Sequence, residues 1–121
     1  MATIKSYTDL EQSRKLAEIL PLESADMCYV IDYAESNKYG TDHFNLEVDT
    51  YGFKVQTRDN IPCWSLAALL NVLPAHTLQT NTDGSVFVVC ESTKPVISNA
   101  YDNPIDACVE MIKCLHELSL L

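Results

Sequence analysis

Thr77-Leu78-Gln79-Thr80-Asn81-Thr82-Asp83-Gly84-Ser85-Val86-Phe87-Val88-Val89-Cys90-Glu91 reads as two strands around a turn. Asp83-Gly84 carries that reading, because a hairpin loop needs residues that tolerate positive φ. Strands are predicted over 77–82 and 85–91. Val86 to Cys90 is apolar on both parities, which predicts an inner strand covered on both sides or one at a subunit contact. Lys94-Pro95-Val96-Ile97 adds a short strand that proline confines to an edge.

Helix signals lie on either side. Downstream, Asn103 caps a helix with Pro104 at its first position and Asp106 at its third. Ile105, Cys108, Val109, Ile112 and Leu115 form its buried stripe, and Glu110, Lys113 and Glu117 face water. Upstream, Asn60-Ile61-Pro62 is read as opening a helix with Leu66, Leu69, Leu70 and Leu73 on one side, ended by Pro74. Thr8-Asp9-Leu10-Glu11 is read as a capping box for a first helix that ends near Ile19 or Leu20, before Pro21.

Between the first two helices, Met27 to Ile31 predicts a strand, with a helical turn led by Ser24 as the rival. Ala34 to Asp42 reads as a loop. Phe44, Leu46 and Val48 alternate with polar residues and predict a half-buried strand. The turn Asp49-Thr50-Tyr51-Gly52 and a return strand through Phe53, Val55 and Thr57 would complete a hairpin. This order predicts an α+β fold: an antiparallel sheet of about five strands in hairpins, with three helices mostly packed on one face. The 121 residues are expected to form a single globular domain over 1–121, with no internal repeat or linker.

The formal net charge is −9, from 17 acidic and 8 basic residues. Phosphates attract clustered lysine and arginine, so direct nucleic-acid binding is not expected. Anionic membrane surfaces are disfavoured for the same reason. The acids are scattered, which suits a solvated surface as well as a basic partner. The N-terminus lacks the apolar region of a secretory signal, and no apolar run approaches the roughly 18–20 residues that span a bilayer. The location expected from this is cytoplasmic. The five cysteines, Cys28, Cys63, Cys90, Cys108 and Cys114, contain no C-x-x-C pair and read as buried apolar residues.

Chemical signals are sparse. Cys63 is the best nucleophile candidate, on the expectation that it sits in the first turn of the second helix, where amide dipoles lower a thiol pKa. His43, His76 and His116 are the available bases, and no spacing ties one to Cys63. Gln79, Asn81, Asp83 and Gly84 match a calcium loop loosely, but Cys90 stands where its bidentate glutamate belongs. Cys114 and His116, two apart on a helix, point to different sides and make no zinc pair. The glycines Gly40, Gly52 and Gly84 fall in predicted loops or turns and form no phosphate cradle. No catalytic residue, metal or cofactor is expected. Among the aromatics, Tyr39 and Tyr51 in predicted loops are candidates for a binding surface. Trp64 beside the leucine stripe and Tyr101 before the last helix are candidates for that surface or for the core.

Three stretches together carry a resemblance: residues 2–12 running on to Ser24-Ala25-Asp26-Met27, then Ile61-Pro62-Cys63-Trp64-Ser65-Leu66-Ala67-Ala68-Leu69-Leu70, then Asp102 to Ile112. They cover about half the chain, which resembles an uncharacterised family of short proteins encoded by gut bacteria of the Bacteroides type and their phage-like or mobile elements. The resemblance implies a bacterial or phage cytosolic setting. It carries no activity and no site residue.

The function expected is that of a small acidic accessory protein acting by protein–protein interaction without catalysis, its contact surface formed by hairpin loops and the exposed side of the sheet. The alternative is a small-molecule-binding protein or minor enzyme with a pocket between sheet and helices, lined by Cys63, Trp64 and Tyr101. A homodimer pairing through Val86–Cys90 is a third reading.

Overall fold

A computed structural model describes residues 5–48, 60–91 and 95–121. The elements are α1 (Leu10–Ala17), a 3-10 turn (Leu22–Ser24), β1 (Met27–Ile31), α2 (Tyr33–Tyr39), β2 (Phe44–Val48), β3 (Asn60–Cys63), α3 (Leu66–Val72), β4 (His76–Thr80), β5 (Val86–Cys90), β6 (Val96–Ile97) and α4 (Pro104–Glu117). The class is α+β. In place of one five-stranded sheet there are two three-stranded antiparallel sheets, ordered β2-β1-β3 and β4-β5-β6, and the described residues include four α-helices instead of three. The chain divides into two compact units, Asp9–Trp64 and Met1–Thr8 with Ser65–Leu121.

In the unit of residues 9–64, Asp9 caps α1 in place of Thr8. Its carboxylate accepts from the Gln12 amide at 2.8 Å, and the Gln12 side chain accepts from the Asp9 amide at 3.1 Å. The reciprocal box is present one residue later than expected, because Asp is as good a cap as Thr and Gln serves as well as Glu at the third position. β1 is the central strand, with Met27 opposite Val48 on one side and Cys63 on the other. The expected helix start at Asn60-Ile61-Pro62 is overturned: these residues form β3, which among the described residues is an edge strand, where the missing proline N–H is tolerated. α1 packs against β3. The hairpin turn at 49–52 and the return strand at 53–57 lie outside the described residues; β2 pairs with β1.

In the other unit, Ser65 caps α3 by accepting from the Ala68 amide at 3.3 Å. The 76–90 hairpin forms in the register His76–Cys90 to Thr80–Val86. Its loop is a type I turn, Gly84 N–H donating to the Asn81 carbonyl at 3.0 Å, closed by Gly84 at φ +90°. β5 is central and alternates, with Val86, Val88 and Cys90 buried and Phe87 and Val89 half-buried. Both of its edges are taken, by β4 and β6, so the expected subunit contact through Val86–Cys90 pairing does not stand. Beyond β6, the Ser98 hydroxyl accepts from the Val88 amide at 2.9 Å, and Tyr101 exchanges two backbone bonds with Val86 at 2.7 and 2.8 Å. The segment therefore stays along β5 until α4 begins. Asn103 caps α4 as expected, accepting from the Asp106 amide at 2.9 Å, and Lys5 pairs with the Asp106 carboxylate at 2.8 Å. Ile105, Cys108, Val109, Met111, Ile112 and Leu115 form its buried face, which packs on β5 and α3.

Candidate functional site

The stretch 34–42, expected to be a loop, contains α2. Helices this short are marginal in isolation, so α2 must be held at its ends. The Asp32 carboxylate accepts from the Glu35 amide at 3.0 Å and from the Asn45 side chain at 3.1 Å. Those donors, the Glu35 amide foremost, hold the Asp32 carboxyl below its usual range. At the other end Gly40 takes φ +71°, a left-handed cap that favours glycine, and donates to the Ser36 carbonyl at 2.9 Å. The Ser36 hydroxyl accepts from the His43 amide at 2.9 Å, and the Asp32 amide donates to the His43 carbonyl at 2.7 Å. The connector is thereby fastened to the base of β1 and β2.

What it presents is aromatic and acidic. Every α2 side chain except Ser36 is exposed, and Tyr33 and Tyr39 are 60% and 58% accessible. The Lys38 ammonium lies 5.2 Å from the Tyr39 ring centroid, and the His43 ring is tilted against Tyr39 at 5.1 Å. Thr41 Oγ1 is 3.3 Å from His43 Nε2. Around them, residues 32–47 carry Asp32, Glu35, Asp42 and Glu47 against Lys38 alone. Two solvent-facing tyrosines on a fastened support can give contact area and hydroxyl hydrogen bonds at low entropic cost.

Of the candidates named from sequence, Tyr39 belongs to this surface and Tyr51 lies outside the described residues. Cys63 ends β3, three residues before α3 begins, and has no exposed surface, so it is not in the first turn of a helix. Trp64 is also fully buried, its Nε1–H donating to Ser24 Oγ at 2.9 Å, and Ser24 in turn donates to the Pro21 carbonyl at 2.6 Å. Tyr101 is half-buried in the other unit, where its hydroxyl donates to the Glu110 carboxylate. Cys63 and Trp64 are core residues, which removes them from the lining of an open pocket. Sequence reasoning missed Tyr33 and the His43 contact. Asp32 and Gly40 were the available signal, a cap and a stop eight residues apart.

Among the described residues no group of three or more His, Cys, Asp or Glu side chains is placed to hold a metal ion. The five cysteines are in no disulfide; four are buried and Cys114 is partly exposed. Burial pushes the Cys108 thiol up to about 12 and raises that of Cys90. Iodoacetamide at neutral pH is therefore expected to modify Cys114 first, with Cys28, Cys63, Cys90 and Cys108 slow. Mass spectrometry of partly labelled protein reads the order; Cys63 ahead of Cys114 would contradict the burial described above.

The Tyr101 phenol is pushed up to about 12, chiefly by its hydrogen bond to Glu110, then by burial and the nearby Glu110 and Asp106 charges. The folded state holds this proton more tightly than the unfolded chain, where the phenol titrates near 10. The contribution is complete below that value and is lost as pH rises toward about 12. Between those limits the wild-type denaturation midpoint should fall more steeply than that of Tyr101→Phe. Parallel curves would show that the phenol is not held this way.

Comparison with protein-family models, curated proteins and solved structures finds no match to this chain. No helix among the described residues is long and apolar enough to cross a membrane.

Proposed function

We propose that this is a small acidic accessory protein that works by binding another protein, with the α2 connector as its contact surface. The observation that supports this is the pair of exposed tyrosines, Tyr33 and Tyr39, on a helix fastened at both ends in a stretch with four acids against one lysine. Packed tyrosines are typical anchors of interfaces, and the surrounding charge favours a basic partner surface. The setting proposed is the cytosol of a Bacteroides-type bacterium or its phage, on the resemblance of residues 2–12, 61–70 and 102–112. Five cysteines in no disulfide suit that reducing compartment.

The test is affinity capture from lysate of such a bacterium with the wild-type chain and with Tyr33→Ala/Tyr39→Ala, quantified by mass spectrometry. A specific protein recovered by the wild type should fall at least about ten-fold with the double variant, the scale of a two-residue hot spot. Equal recovery by both, or nothing above background with either, rules the reading out.

A further inference from the structure

Among the described residues β4 (His76–Thr80) is an edge strand, paired with β5 on one side. Of the other described edges, β3 contains Pro62, β6 is two residues long and follows Pro95, and β2 carries the charged Glu47. β4 has none of the usual protections, neither charge nor proline nor bulge, and Thr77, Leu78, Gln79 and Thr80 are all exposed. No Asp, Glu, Lys or Arg occurs anywhere from 60 to 82, in a chain of net charge −9. The strand itself carries no acid, and the nearby Glu91 carboxylate, which accepts from Thr77 Oγ1 at 3.4 Å, lies beyond the end of β5, so a second copy of this acidic protein can approach the edge at little cost in charge repulsion.

The backbone register fits the same occupant. Glu91 N–H donates to the Ala75 carbonyl and Asn81 N–H to the Ser85 carbonyl, both at 2.8 Å. Antiparallel pairs alternate between hydrogen-bonded and open, so Thr77 and Gln79 bond to β5, while His76, Leu78 and Thr80 aim their N–H and C=O groups away from it. Those three positions are symmetric about Leu78. We propose that two copies of the chain join through β4, antiparallel, with the two-fold axis at Leu78, making one continuous sheet through both.

In that pairing Leu78 faces Leu78 of the second copy, and His76 faces its Thr80. About six backbone hydrogen bonds form, two at each outward-facing pair. Leu78, 37% exposed in the single chain, gains an apolar neighbour at the cross-strand distance. Pro74 has no N–H to offer and ends the pairing at one side, and the Asn81–Ser85 loop ends it at the other.

The experiment is sedimentation equilibrium of the full chain into the high-micromolar range, with Leu78→Lys and Leu78→Pro beside the wild type. The wild type should approach twice the 13.5 kDa monomer mass. Lysine at 78 sets like charges opposite each other, and proline removes an amide that β5 does not use, so either should weaken association at least about ten-fold. Circular dichroism confirms that each variant is folded. Hydrogen exchange supplies a readout on the wild type alone: protection of the Leu78 and Thr80 amides should rise with protein concentration. A wild type that stays monomeric, association that persists in both folded variants, or exchange at these amides that ignores concentration overturns the proposal.

Discussion

Trp64→Ala is expected to cost about 3–5 kcal/mol of folding stability, the range for deleting a fully buried large aromatic. Trp64 has no exposed surface and is the single tryptophan of the chain. Its removal leaves a cavity that close-packed surroundings fill only in part. It also leaves Ser24 Oγ without the indole donor, although that oxygen still donates to the Pro21 carbonyl. Trp64→Phe separates the two losses. It keeps most of the ring and loses the hydrogen bond, which is worth about 1 kcal/mol. Since domains have about 5–15 kcal/mol to lose, the alanine variant should be close to unfolding and the phenylalanine variant should not. Urea denaturation followed by far-ultraviolet circular dichroism is the right measurement, because the fluorescent reporter is itself removed. Similar losses in both variants would mean that the hydrogen bond, and not the volume, secures this position.

Ile112→Ala should cost about 2–5 kcal/mol and Ile112→Val about 0.5–1.5 kcal/mol. Ile112 is fully buried on the face that α4 turns toward β5 and α3. Lys113, the next residue, is exposed, and its change to alanine should stay within about 0.5 kcal/mol. Two adjacent positions thus differ several-fold because a helix turns about 100° per residue and only one side meets the core. Equal losses at 112 and 113 would refute the burial pattern of α4.

α4 was the element most legible in the sequence. Its cap, its proline and its apolar stripe are all local and agree with one another. The 76–90 hairpin was legible for a similar reason: Asp83-Gly84 fixes where the chain reverses, although the loop closes through a type I turn with Gly84 in a positive-φ bulge. β3 was not legible. Ile61, Pro62, Cys63 and Trp64 are all buried, and a run buried on both parities carries no period that separates strand from helix. Proline then tilted the reading toward a helix start, and pairing with β1 overrode it. α2 was missed for the opposite reason. Its side chains are polar or exposed, so it has no stripe to find. The return of the chain from Ile31 to its neighbour Phe44 sets the span the helix bridges.

The candidate surface followed the same division. An unclaimed Tyr39 could be named from sequence, because no core stripe accounted for it. Its neighbours Tyr33, Lys38 and His43 could not be gathered, since their grouping depends on the α2 mount. Cys63 and Trp64 were read either as pocket or surface candidates or as packed residues, and both are fully buried.

By itself the sequence determined the α+β class, the capped start of α4, the start of α1 to within one residue, the 76–90 reversal and the acidic surface, because each depends on residues a few positions apart. Only the tertiary structure decided that, among the described residues, the strands form two sheets and that 60–63 and β4 are edge strands. Strand partners are chosen by contacts between distant parts of the chain, and short-range preferences leave that choice undetermined.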